Sequence, residues 1–421
     1  MQDFMPNFGI NRCFLAFILV LPTLVPAQEA LRSSLAGDAA IEARRRQQES
    51  LPYTIKSGDF RLLLSPSLGL DWNDSVNLTA NNAQSDFILK PLLGLVASYP
   101  ITKANLLRLD IGVGYDKYFA HDEYSGFRVQ SGSELTFDTY IKDFWINLHD
   151  RVKYSQDSAG VSAVAGSGNY GGLENTVGFS TTWDLNRPVL TLGYDHQNFI
   201  SSSSQFQYIN RASELIVARA GLRLNPRLTT GIEGTVSLTS YDQRGLNNNT
   251  SYSIGAYADW QPGPYLHIQP RAGYTIYSFE QTSLFVRAVD MNAWYAGLTV
   301  SHDITETLSY NVSAGRERRL GIQADSVEDW YLRPSINWKI MKDWRIGTDF
   351  FYEHGTQGAG KSAGNFVETY DWLGGGLGIG YSPTKRLSID LHYRYTYRAA
   401  DVGGRNYAQN LVGLMLTYAL R

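Results

Sequence analysis

Among the 421 residues there is a single cysteine, Cys13, at the start of an apolar run near the N-terminus. Beyond it the chain has no disulfide staple and no thiolate metal ligand, which suits an exported protein that must not cross-link in transit. Later segments lack the roughly 20 consecutive apolar residues of a spanning helix. A mean hydropathy of −0.25 excludes a polytopic helical membrane protein. It leaves room for a β-barrel, whose strands are half polar. Excess charge of one sign is also missing. The net charge of −3 offers no electrostatic footprint for nucleic acid. The seven His are scattered without zinc-ligand spacing. There is no G-x-S-x-G element, and GGGLGIG has no Lys-Ser/Thr after it to make a phosphate loop. No cofactor, no metal site and no enzymatic activity are therefore expected.

Arg12, the apolar stretch from Cys13 to Val25 and the sequence Pro26-Ala27-Gln28 read as a signal peptide over residues 1–27, cleaved near Ala27; the alternative, a transmembrane anchor, would need a run of roughly 20 residues, longer than this one. Residues 28–58 are rich in Ala, Arg, Glu and Gln and show no alternation. They read as a periplasmic leader, with a small plug or partner-docking helix as the sharper alternative.

The rest of the chain repeats one pattern, cleanest in RLSIDLHYRYTYR over residues 386–398. Leu387, Ile389, Leu391, Tyr393, Tyr395 and Tyr397 share one parity, while Ser388, Asp390, His392, Arg394 and Thr396 share the other. That is a strand with one apolar and one polar face. A strand tilted by about 45° crosses a bilayer in roughly 9–11 residues. About 18 such segments follow one another from Phe60, with 16 as the alternative count.

The connections alternate in length. Short turns with strong turn signals fall at 100–104, 142–143, 186–188, 225–227, 261–264, 303–306, 342–343 and 382–385. Long polar loops fall at 73–85, 118–126, 155–172, 200–208, 242–250, 279–289, 319–328, 355–365 and 399–406. Eight turns and nine loops are what a closed 18-strand meander needs when both termini lie on the turn side. The fold expected is all-β: a transmembrane antiparallel up-and-down barrel over residues 59–421, with short periplasmic turns and long extracellular loops. Trp145, Trp183, Trp260, Trp338 and Trp344 near the short turns, with Trp72 and Trp330 near the long loops, suggest two aromatic girdles. Asp150 resists: it falls on the outward parity, and a bulge in its strand would restore the register. No outward polar stripe marks a subunit interface.

The inward parity carries Arg108, Asp110, Glu134, Asp138, Arg151, Lys153, Glu174, Arg219, Arg223, Glu233, Arg271, Arg333, Asp349, Asp390 and Arg394. These read as the lining of a water-filled pore whose mixed signs give weak ion selectivity. The alternative is a salt-bridge network inside a plugged barrel. Gly374, Gly376, Gly378 and Gly380 present a lumen face almost without side chains. That face is a groove for Phe351, Arg394, an infolded loop or the leader. Ser388, Asp390 and His392 invite a hydrolase reading, but neighbours on one strand face lie about 7 Å apart, too far for a triad within the strand. The loop at 155–172 is small and mildly apolar, which suits infolding as a constriction.

With this strand count, and a final YALR-type strand after a Gly-rich penultimate hairpin, residues 60–421 resemble the bacterial outer-membrane beta-barrel porin-2 type families, porin-like barrels associated with exopolysaccharide. The resemblance implies an outer-membrane pore, with a secreted polysaccharide as one cargo and periplasmic polysaccharide-export components as partners. The residues themselves point to a channel for passive diffusion or export of hydrophilic solutes, with a non-conducting structural or adhesive barrel as the alternative. Partners are outer-membrane lipid, lipopolysaccharide and the barrel assembly machinery, with no nucleic acid.

Overall fold

The computed structural model describes residues 53–102, 104–157, 160–358 and 367–420. The expected signal peptide (1–27) and most of the expected leader (28–58) lie outside the described residues. A short strand, β1 (Ile55–Ser57), pairs with the start of β2 (Phe60–Asn73). The chain then runs through β3 (Asp86–Pro100), β4 (Asn105–Tyr118), β5 (Gly126–Ile141), β6 (Phe144–Asp157), β7 (Asn169–Asp184) and β8 (Pro188–Ser201). It continues with β9 (Arg211–Asn225), β10 (Leu228–Tyr241), β11 (Asn249–Trp260), β12 (Leu266–Phe279), β13 (Met291–Asp303) and β14 (Leu308–Leu320). The last five are β15 (Ser326–Met341), β16 (Trp344–Gln357), β17 (Glu368–Tyr381), β18 (Leu387–Ala400) and β19 (Tyr407–Tyr418).

From β2 onward every strand pairs antiparallel with the next, and β19 pairs with β2, from Leu411↔Asn73 to Thr417↔Ser67. The result is a closed 18-strand antiparallel barrel. Closure leaves no unpaired edge, so the backbone is satisfied throughout the wall. Both ends of the described chain lie on the short-turn rim, where the Thr54 hydroxyl donates to the Leu420 carbonyl.

Side-chain alternation sorts the wall into two faces. Leu68, Leu70 and Trp72 on β2, Ile232 on β10 and Leu391, Tyr393 and Tyr395 on β18 are exposed on the outside. Trp72, Trp183, Trp260, Trp330, Trp338 and Trp344 lie on that outer face near the rims. Trp145 does not. It is only 8% exposed and shares the inward parity with the buried Asn147 and His149. Its neighbour Phe144 takes the outer position and stacks on Trp183 at 5.0 Å. The parity of the strand, and not closeness to a turn, decides which way an indole points.

Asp150 faces outward without a bulge in β6, in register between Leu135 and Val177. The irregularity sits one strand earlier, where β5 slips in register between Val129 and Ser133 and Gly132 takes a φ of 89°. The slip is of two residues, so it preserves parity and leaves Glu134 and Asp138 facing inward.

The buried apolar residues lie where the long loops fold over the lumen. One cluster joins Ala163 and Val164 to Tyr170, Phe199, Phe206, Ile209, Leu246, Val286 and Ile322. A second joins Leu78 of the first long loop to the lumen-facing Phe351, Tyr370, Trp372 and Tyr407.

Candidate functional site

The segment 160–168, between β6 and β7, is folded into the barrel and held against the inner wall of β14–β18. The Arg398 Nε donates to the Ser162 carbonyl at 2.7 Å. The Ala163 carbonyl accepts from Arg405 Nη2 at 2.8 Å and from Gln357 Nε2 at 3.2 Å. Arg319 Nη2 donates to Ser162 Oγ at 2.9 Å, to Glu353 Oε1 at 2.7 Å and to the Tyr370 hydroxyl at 3.1 Å. Ser162 Oγ in turn donates to Glu353. At the other end of the segment the Gly166 amide donates to the Leu78 carbonyl at 2.8 Å, tying it to the first long loop.

The anchoring charges are themselves paired. Glu368 Oε1 accepts from Arg398 Nη2 at 2.8 Å and from Arg405 Nε at 2.6 Å, and its Oε2 accepts from Gln357 at 2.9 Å. The Arg398 guanidinium lies 4.5 Å from the centre of the Tyr370 ring. Arg398 and Glu368 are fully buried, and a buried charge is tolerated only with such partners.

Below this cap the inner wall is a ladder of ion pairs. Arg108 meets Asp110 at 2.9 Å, Arg151 meets Glu134 at 3.6 Å and Lys153 meets Glu174 at 3.2 Å. Arg219 meets Glu233 at 2.8 Å and Arg394 meets Asp349 at 3.3 Å. Both members of each of these pairs stand among the pore-lining candidates. Five other candidates bind groups outside that set. Arg223 pairs with Asp184 at 3.2 Å, Arg271 with Glu317 at 3.9 Å and Arg333 with Glu353 at 3.6 Å. Asp390 pairs with Arg345, and Asp138 accepts from Asn147 Nδ2 at 2.8 Å. Most of the pairs keep part of their side-chain surface exposed, as a solvated lining would.

The glycine face receives its neighbours' side chains. An added Cβ would meet the Phe351 ring at Gly374, the Asp349 carboxylate at Gly376, and Arg345 and Asp390 at Gly380. Gly378 stands opposite His392 in register. Ser388, Asp390 and His392 are not brought together, since Asp390 turns to Arg345 and His392 faces Asp71 at 3.5 Å.

Sequence reasoning missed the anchors Arg319, Glu353, Glu368, Arg398 and Arg405. A signal was present. Arg316 to Arg319 (RERR) is dense in charge at a strand end, and Arg319, Glu353, Glu368 and Arg398 all fall on inward parities. Outside the wall, in the loop after β14, Asp325 accepts from the Asn247 amide at 2.9 Å and from its Nδ2 at 2.7 Å. Burial raises the pKa of this carboxyl, and the two Asn247 bonds oppose that.

No family model matches the chain, and no curated protein does. Solved structures of comparable shape are Pseudomonas aeruginosa proteins. OpdL is 12% identical, with a TM-score of 0.47 over 87% of this chain and 100% of its own. OccK2 (OpdF), solved in complex with glucuronate, is 8% identical with a TM-score of 0.49 over 86% and 99%. The outer membrane protein OpdK is 10% identical with a TM-score of 0.45 over 85% and 98%. The closed barrel of this chain stands on its own strand pairing.

Proposed function

We propose that this chain is an outer-membrane channel for passive passage of small hydrophilic solutes, with segment 160–168 setting its aperture. The observation that carries this is the contrast between the two faces of one closed wall. The outside is apolar with tryptophans at both rims, as lipid requires. The inside is a ladder of partly exposed ion pairs, which serves no purpose in a packed core but lines an aqueous path well. Lipopolysaccharide and the barrel assembly machinery are the partners such a wall needs. Export of a polysaccharide, the finer reading, requires the cap over the lumen to open.

That cap favours a second reading, a non-conducting structural barrel, because two apolar clusters join the loops across the long-loop rim. Conductance of the refolded protein in planar bilayers separates the two. The full chain is compared with one lacking residues 28–52, which spares β1, and with Ser162→Gly/Arg398→Ala, which removes the Ser162 side-chain anchors and the Arg398 anchor of segment 160–168. Steady steps from the full chain establish the channel. Silence from all three excludes it. Silence relieved only by the truncation makes the leader a plug. Glucuronate and a neutral sugar of similar size are the first solutes to test for uptake into liposomes.

A further inference from the structure

We propose that the outer face of β6–β9 is an interface with a second copy of this chain. The starting point is Asp150, which faces outward six residues from one end of β6 and seven from the other. Among the described residues no cation pairs with it. Its recorded hydrogen bond comes from Asn175 Nδ2 of β7, at 2.7 Å, and that side chain is also on the outer parity. Asn175 stands opposite Asn198 of β8, and His196 of β8 stands opposite Glu214 of β9. The His196 Nδ1 and Glu214 Oε1 lie 2.8 Å apart, and the Tyr194 hydroxyl donates to Glu214 Oε2 at 2.6 Å. The strand pattern showed no outward polar stripe, but pairing assembles one: a polar band descends from the long-loop rim to the middle of the wall across four strands. Three strand spacings make it about 14 Å wide.

The rest of the outer wall shows what is unusual here. Other outward charged groups keep to the long-loop rim: Arg316 and Glu328 pair beside Trp294 and Trp330, and Asp371 lies three residues from the end of β17. On the far wall Tyr352 and His354 grip Asp371 as Tyr194 and His196 grip Glu214. There the charged groups stop at the rim. Among the described residues, outward carboxylates and amides continue to mid-wall on β6–β9 alone, where hydrocarbon would leave a carboxylate unsolvated. A protein surface supplies the partners that lipid cannot.

The occupant follows from charge complementarity. The band carries acceptors in Asp150 and Glu214 and donors in Asn175, Asn198 and His196, so two copies related by rotation can satisfy one another. A closed barrel has no free strand edge, so association must be face to face. Ala212, Ala218 and Ala220 of β9 lie on the same outer parity and let a second wall approach closely.

The test is oxidative cross-linking in the membrane, with Cys13 as the only other cysteine. Asn198→Cys is expected to give a cross-linked species of twice the chain mass, and Leu332→Cys on the far wall none. Light scattering in mild detergent should show the wild type as a multiple of the chain mass. D150L/E214L and the bulky Asn198→Trp should each shift it to a single chain with the heat-modifiable migration of a folded barrel. Asp371→Leu should leave it assembled. A wild type of single-chain mass that does not cross-link in membranes would overturn the proposal. So would a cross-link to a protein of different mass, or an assembly that survives both Asn198→Trp and D150L/E214L.

Discussion

Arg398 ties the infolded segment to two parts of the lumen wall. Its three nitrogens reach the Ser162 carbonyl, the Glu368 carboxylate and the Arg405 carbonyl, and its plane covers Tyr370. Arg398→Ala leaves Glu368 buried with one cation fewer and releases the Ser162 carbonyl. Breaking a buried pair from one side costs about 3–5 kcal/mol, so the variant should unfold at clearly lower denaturant in detergent. Its channel, if it folds, should show larger and noisier current steps. Trp145 makes a different point at the same scale. Its indole faces the lumen while Trp183 lies on the outer face. Trp183→Phe should remove fluorescence that brominated lipid quenches, and Trp145→Phe should remove fluorescence that it does not.

The elements answer to backbone geometry as well as to side chains. Strand β17 can carry four lumen-facing glycines because β16 and β18 lay their side chains across it. At Gly374 an added Cβ would stand 2.2 Å from the Tyr395 carbonyl oxygen and 2.5 Å from the Phe351 ring. Gly347, on the neighbouring strand, would meet only the Asn337 side chain at 3.6 Å. Gly374→Ala should therefore cost about 1–3 kcal/mol as overpacking, and Gly347→Ala little, measured as thermal stability in detergent. Among the loops, Asp325 clasps Asn247. Because burial raises its pKa above 3.8, the folded state binds more protons than the unfolded one as pH climbs past that value. Its contribution is present at lower pH and is lost as pH rises through the folded pKa. Amide exchange in residues 243–248 should quicken over that window, and Asp325→Asn should flatten the dependence.

At the scale of the whole molecule, cations and anions pair around the lumen: within β4 at Arg108–Asp110, between neighbouring strands at Arg151–Glu134 and Arg219–Glu233, and over the glycine strand β17 at Arg345–Asp390 and Arg394–Asp349. Neither sign dominates the path, so the reversal potential in a salt gradient should lie close to zero. A strongly cation- or anion-selective current would show that the ladder does not line the path. The barrel was largely legible in the chain. The turns at 142–143 and 342–343 match the observed ones, and strands from β2 to β19 begin within a few residues of their expected starts. The constriction was legible only as a loop of suitable composition. Its anchors at Arg319, Glu368 and Arg398 sit at strand ends, where alternation fades into loop and inward charge is hard to tell from surface charge.

What the sequence determined by itself was the wall. A strand alternates its faces with every residue, so thirteen residues such as 386–398 suffice to declare a lipid face and a water face, and loop lengths then count the strands. What occupies the lumen was decided by the tertiary structure alone. Ser162 and Arg398 are 236 positions apart, and Asp150, Asn175 and Glu214 come from three different strands. Such groups meet only after the barrel has closed and its register is set. No local period records that meeting, because the free energy of each contact depends on which strand the closure puts beside it.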